Sequence, residues 1–269
     1  MKLAVSSLAW EPAHDAAVRA MLAHRGVRGI ELTPLKYWPA GLDVAPHVLA
    51  DYKAQWFDAG ISIVALQGIL FGMPELQLFG SPSQQAALEA HLAAIARLAS
   101  ALGAGTLVFG AAKNRLRGAL TEDEAIAAAV PLLRRVASVC TDVGVTLCIE
   151  PNPPRYGGDF VHTSADAMRL VREVDHFSFG LHLDAGALAI NAESDSEVIE
   201  AARHARHFHI SEIDLVPTGS GTVDHRRLGQ LLRRADFQRW HSIEMMPLSG
   251  GGAVEALGRA VDVALESYP

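Results

Sequence analysis

The sequence is short of the residues that would staple it, anchor it in a membrane or make it basic. It has two cysteines, Cys140 and Cys148, both in apolar surroundings. Such a pair makes neither a disulfide framework nor a zinc knuckle, and both read as reduced core thiols. Aromatic residues are only 6% of the chain, whereas 50% is hydrophobic and rich in Ala, Leu and Val. That mix supplies an ample core and suits helices packed on a buried parallel sheet. Positive charge is also scarce: 23 Lys and Arg stand against 30 Asp and Glu, a formal charge of −7. Nucleic-acid binding relies on clustered basic side chains, so no nucleic-acid partner is expected, although one local basic group suffices for a small anion. No stretch reaches ~18 uninterrupted apolar residues, so no membrane association is expected. Glu11, Pro12, His14 and Asp15 cut off the first apolar run before it is long enough for a signal peptide, and a cytoplasmic location follows as the expectation.

A glycine-rich phosphate loop is missing as well. The first strand-like run passes into SSLAWEP, where an open doubly wound sheet usually carries glycines. What the chain has instead is an alternation of short apolar runs with longer amphipathic ones. The strand candidates are Leu3–Ser7, Gly29–Leu32, Ile61–Gln67, Thr106–Phe109, Thr146–Glu150, Phe179–Asp184, His207–Ser211 and His241–Glu244. Between them, Gln84–Leu102 puts Leu88, Leu92, Ile95, Leu98 and Leu102 on one helical face. Thr121 and Glu124 form a capping-box start for a helix running towards Val143, Ser164 and Ser194 are candidate N-caps, and Asp224 is placed to open the last helical unit. Eight strand signals, each followed by a helix-like segment, predict an α/β fold: a (β/α)8 TIM-type barrel, with residues 1–269 as a single domain. The long connections 34–50, 68–82, 151–163 and 214–224 all follow strands, on the face where such barrels build their sites.

Four chemically distinctive residues stand at the ends of successive strand candidates: Glu150, Asp184, His209 and Glu244. Strand side chains alternate between barrel interior and helix layer. Setting these four inward also turns Cys148, His182, His207 and Ser242 inward, and leaves Leu147, Ile149, Leu183, Phe208, Ile210 and Ile243 for the helix interface. Taken singly, each acid reads as a buried ion pair and the imidazole as a satisfied core histidine. Taken together, three carboxylates at one barrel mouth repel one another unless a cation compensates them. The mixed oxygen and nitrogen donor set points to one divalent ion, Mn²⁺ ahead of Mg²⁺ or Co²⁺, with Zn²⁺ also compatible.

The motifs IEPN around Glu150, LDAG around Asp184, HFHISE around His209 and SIE around Glu244 resemble the sugar isomerase/epimerase group of xylose-isomerase-like TIM barrels, which includes ketose 3-epimerases. The resemblance spans nearly the whole chain, with weaker echoes in LQGILFG, LVFGAAKNR and TGSGTVD. It implies a metal held by those four residues, with Glu150 and Glu244 as the acid/base pair that moves a proton at a sugar carbon. Ala187 departs from it, standing where many sugar epimerases carry a substrate-contacting histidine three residues after the metal aspartate. Related DNA-repair endonucleases bind three metals through extra histidines. Gln67, Ala187 and the missing D-x-H near Asp224 do not provide them.

Further substrate contacts are expected from Gln67, Asn152, Glu212 and His182, and from Lys113 and Arg115 for a phosphate or carboxylate. Each also has a structural reading: a turn cap for Asn152, a solvated turn for the basic pair, a loop tie for Glu212 and a second hydrogen-bond layer for His182 and His207. Glu31, Trp10, Trp38, Phe71, Arg155 and Tyr156 stand on or near the same loops, and Gly250–Gly252 is a flexible candidate for approach to a phosphate. The resulting expectation is a metal-dependent isomerase or epimerase of a keto-sugar or sugar phosphate, working through a cis-enediolate. A metal-dependent dehydratase of a keto-cyclitol or keto-sugar is the alternative, and a non-catalytic sugar-binding barrel the third reading. A homo-oligomer is left open.

Overall fold

The apolar runs pair in chain order. In the computed structural model, which describes residues 1–248 and 252–268, eight parallel strands close into one barrel. They are β1 (Lys2–Ser6), β2 (Gly29–Leu32), β3 (Ser62–Leu66), β4 (Thr106–Phe109), β5 (Thr146–Ile149), β6 (Phe179–Asp184), β7 (Ala205–Ser211) and β8 (Trp240–Glu244). The circle closes where Leu3, Ala4 and Val5 of β1 pair with His241, Ser242 and Ile243 of β8. Around it lie α1 (Asp15–His24), α2 (Pro46–Phe57), α3 (Pro82–Leu102), α4 (Glu122–Asp142), α5 (Ser164–Val174), α6 (Asp195–His204), α7 (His225–Arg234) and α8 (Ala253–Ser267). Among the described residues, no helix is long and apolar enough to cross a membrane.

The two-residue alternation sorts the strands as expected. Leu147, Ile149, Leu183, Phe208, Ile210 and Ile243 join the large apolar layer between sheet and helices. Inside the barrel the apolar cluster is small: Ala4, Val64 and Ala65, with Trp240 packed against them. Above it the buried interior turns polar, with His182, His207, His209 and Ser242. Register shifts between Ile30 and Glu31 and between Leu181 and His182 sit directly before two buried polar residues, Glu31 and His182. Bulges re-aim side chains in this way beside functional sites.

Helix starts follow local chemistry. Thr121 and Glu124 form the expected capping box on α4, and Ser194 forms one with Glu197 on α6. Helix α3 begins at Pro82, capped by Ser81 and Gln84, and buries Leu88, Leu92, Ile95, Leu98 and Leu102 as the periodicity requires. Two expectations need correction. The N-cap of α5 is Thr163, paired with Asp166, because the hydroxyl and amide of Ser164 are both taken by the Glu193 carboxylate. Asp224 does cap a helix, but it is α7, the penultimate one, since α8 follows β8.

Burial on β8 makes a pH dependence. His241 is 5% exposed, and burial, with smaller contributions that include the neighbouring His207, pulls its pKa down to about 4. The unfolded imidazole titrates near ~6.5, so below that pH the unfolded chain binds the proton more readily. The stability that His241 contributes is present above ~6.5 and is lost as the pH falls towards about 4. We expect urea unfolding of His241→Leu to lose less stability between pH 7 and pH 5 than the parent chain does (both are assay conditions set by about that pKa window); an identical pH slope would contradict this.

Candidate metal centre

Four side chains converge at the carboxyl ends of the strands. Asp184 closes β6, His209 lies in β7, Glu244 closes β8, and Glu150 is the first residue past β5. Each can offer one donor atom such that all four lie within 4.8 Å of one another. His209 is the hub. Its Nδ1 lies 3.2 Å from Glu244 Oε2 and 3.6 Å from Glu150 Oε1, while its Nε2 lies 2.9 Å from Glu31 Oε2.

Asp184, Glu150 and His209 are each held by neighbouring groups. One oxygen of Asp184 caps the short helix Ala185–Ile190 by accepting the amide of Ala187 at 2.7 Å, and the other accepts the hydroxyl of Ser211. That Ser211 hydroxyl in turn accepts the amide of Gly186 at 2.9 Å. The carbonyl of Glu150 accepts from the guanidinium of Arg115 and from the amide of Asn152, the latter at 3.2 Å. Gly110 leaves room for the Glu150 carboxylate, since any Cβ there would overlap it. Glu31, fully buried, lies between His209 and His207, with His207 Nε2 3.3 Å from its other oxygen. A carboxylate behind a ligand histidine fixes the ring orientation and its tautomer.

Burial and like charge dominate the electrostatics of the group. Burial pushes Asp184 up to about 7, reinforced by Glu150 and Glu244. Burial likewise raises Glu244 above its ordinary value against the pull of His209. Glu150 is held well below the carboxylate range: His182 and His209 outweigh the opposing effect of burial. Burial acts to lower His209, but Glu31, Glu244 and Glu150 overcome it and raise the ring well above its usual value. A proton on His209 is thus the one positive charge that these four residues can supply themselves. His209 Nδ1 is nevertheless buried with no hydrogen-bond partner. An unpartnered imidazole nitrogen facing carboxylate oxygens fits a divalent cation, and Glu150, Asp184, His209 and Glu244 are the residues to hold it.

The other expected residues divide. Gln67, Lys113, Asn152 and Tyr156 line a cavity of about 670 Å³ together with Glu150 and Glu244. Arg115 does not line it: the side chain is fully buried over the Phe109 ring, and burial lowers its pKa to about 10, still cationic at neutral pH. Its place under the Glu150 carbonyl is a positioning one. Glu212 is turned away too, accepting the amides of Gly219 and Val223 and lying 3.0 Å from His225 Nε2. It ties down the segment before α7. His182 is buried edge-on to His209, 3.4 Å from Glu150 Oε1, and burial brings its pKa to about 3, which keeps the ring neutral. His182, His207 and His209 also bring ring nitrogens within 4.8 Å of one another, one layer below the four-residue group.

Among the loop aromatics, Phe71 lines the cavity, whereas Trp10 is core, its indole donating to Asp15. Arg155 is paired with Asp214 at 3.0 Å. Of the glycine run, Gly250 and Gly251 lie outside the described residues. Two contributors escaped the sequence reading: Gly110 and Ser211. Ser211 was within reach, two residues beyond His209 and therefore in the same phase.

The closed barrel, with four potential ligands converging at its carboxyl end, defines a (β/α)8 protein with a candidate metal centre. The chain belongs to the xylose isomerase-like TIM barrel family, whose model matches residues 19–263. No curated protein matches the sequence. Among solved structures, D-psicose 3-epimerase from Clostridium cellulolyticum H10 superposes with a TM-score of 0.81 at 16% identity, covering 100% of this chain and 99% of that one. The 3-keto-D-glucoside 4-epimerase YcjR from E. coli gives 0.81 at 17% identity, with 99% of each chain covered. The IOLI protein, solved with a zinc atom, gives 0.75 at 17%, covering 99% of both chains. At these identities the likeness concerns the fold.

Space beside Glu150 offers a direct check. We expect Gly110→Ala to weaken divalent-cation binding by about 10–100-fold, the usual cost of disturbing a ligand's support, with little loss of thermal stability. Calorimetric titration of the metal-free protein measures it, and an unchanged affinity would remove Glu150 from the ligand set.

Proposed function

We propose that the protein is a divalent-metal-dependent isomerase or epimerase of keto-sugars. One observation carries this reading: Glu150 and Glu244 face one cavity beside a buried, unpartnered nitrogen of His209. Glu150, Asp184, His209 and Glu244 would hold the cation, and Mn²⁺ suits these donors best, ahead of Mg²⁺, Co²⁺ and Zn²⁺. When bound, it supplies Lewis-acid polarisation of the adjacent carbonyl and hydroxyl oxygens of the sugar.

The chain's own residues move the proton. One carboxylate of the Glu150–Glu244 pair takes the proton from the carbon next to the carbonyl, leaving a cis-enediolate. The other returns a proton to the opposite face, giving the epimer, or to the adjacent carbon, giving the isomer. The amide nitrogen of Asn152 is committed to the carbonyls of Gly110 and Glu150, and that of Gln67 to the hydroxyl of Ser6. Both side chains therefore present their carbonyl oxygens as acceptors for sugar hydroxyls. Lys113 adds a donor. Arg115, His182 and Glu212 act through other residues: Arg115 and His182 steady Glu150, and Glu212 steadies the 217–225 segment. The sugar epimerases among the structural neighbours support this reading.

Ala187 keeps a second reaction in view. It is 4% exposed and brings no donor to the sugar where relatives place a histidine. The same enediolate can expel a β-hydroxyl as water, which makes the protein a lyase.

Incubation with keto-sugars in deuterium oxide decides among these. We expect deuterium at a single carbon of the product, and Glu150→Gln or Glu244→Gln to slow its incorporation by about 10²–10⁴-fold, the usual share of general acid–base catalysis. A product lighter by one water moves the assignment to the lyase. Activity surviving complete removal of metal would sink both.

A further inference from the structure

The cavity over Glu150 and Glu244 has two kinds of wall. Its floor is acidic. Its lining also carries Leu8, Ile69, Leu70, Phe71, Val108 and Met246. Phe71 is 73% exposed and Met246 is 49% exposed, values that mark an unfilled apolar rim rather than core packing. At about 670 Å³ the space is within the ~300–1,000 Å³ range of pockets for drug-sized ligands and larger than one monosaccharide needs.

Its cations are mostly spoken for. The ammonium of Lys36 donates to the carbonyls of Ser7 and Trp10, at 3.3 and 2.5 Å, and lies 3.6 Å from Glu11. The Arg115 guanidinium is buried beneath the loop, and Arg155 is bound to Asp214. Among the described residues, Lys113 is the one cavity-lining cation with no carboxylate partner. Beyond β8, where many barrels hold phosphate, the wall among the described residues is Met246 and Pro247, and the amide of Met246 is already donated to the carbonyl of Leu215 at 2.8 Å. With Glu11 paired to Lys36 and with Glu150 and Glu244 assigned to the cation, a phosphate dianion would find a single uncommitted lysine for its two charges. An apolar group would meet a ready surface.

Resting on the sugar chemistry assigned above, we propose that the natural ligand is an uncharged keto-glycoside whose aglycone has an apolar face, seated against Phe71 and Met246, and not a sugar phosphate. The keto-sugar ring lies over Glu150 and Glu244, and the aglycone fills the outer half of the cavity. Burying it removes apolar surface of both partners from water.

The test uses the metal-loaded protein and three probes sharing one hexosulose, a hexose ring whose ketone sits on a non-anomeric carbon and so survives glycosylation: the free sugar, its phenyl glycoside and its phosphate ester. Calorimetry should show the phenyl glycoside bound at least about tenfold more tightly than either of the others, the discrimination that one apolar group in a fitted pocket provides. Phe71→Ser and Met246→Ser should bring the glycoside-to-free-sugar ratio towards one. Equal affinities, or a preference for the phosphate ester, would overturn the proposal. So would a dimer dispersed by Met246→Asp together with equal affinities, since the rim would then belong to a second copy. Deuterium exchange on the same probes keeps the two claims apart. A glycoside preference without exchange upholds the ligand class and sinks the reaction, whereas exchange on all three without preference does the reverse.

Discussion

Everything at the mouth of this barrel depends on compensating three carboxylates that strand geometry forces together. Glu150, Asp184 and Glu244 cannot be moved apart without changing the register of the sheet, because Asp184 pairs with His209 and Ser211 pairs with Glu244 across neighbouring strands. Buried like charges at such range raise one another's pKa. Asp184 already stands near about 7. Without a cation, the chain offers only the His209 ring as a counter-charge inside the group. A divalent ion held by these residues would remove the conflict.

The surrounding residues make sense as supports for that group. Glu31 orients His209 from behind, Ser211 and the amide of Ala187 fix both oxygens of Asp184, and Arg115 with Asn152 holds the backbone of Glu150. These are fixed by packing before any ligand arrives. Rigid supports of this kind keep reacting groups at productive distances, which is where much of an enzyme's advantage lies. The apolar side of the cavity has the opposite character: Phe71 and Met246 line it and remain exposed.

Much of this was legible in the sequence because period and chemistry agreed. Alternation along TLCIE, FGLHLD, HFHIS and HSIE assigned both faces of four strands correctly, and the helix caps at Thr121 and Ser194 could be read from spacing alone. What could not be read were contacts between distant segments. Arg115 looked like a loop cation, but the fold tucks it under a carbonyl 35 positions away. Ser164 looked like a cap until Glu193, from another connection, claimed its polar atoms. Glu212 sits where strand phase gives no warning that two loop amides and His225 will surround it. Local rules report on a residue's own element. They are silent about what a closing barrel brings to it.

The central claim is that four residues hold one cation. Elemental analysis of the purified protein, dialysed against metal-free buffer, tests it most directly. The account predicts close to one equivalent of a divalent metal per chain, falling to a small fraction in His209→Ala. A protein that carries no divalent metal after growth in metal-replete medium, or one whose metal content is unchanged in His209→Ala, would contradict it.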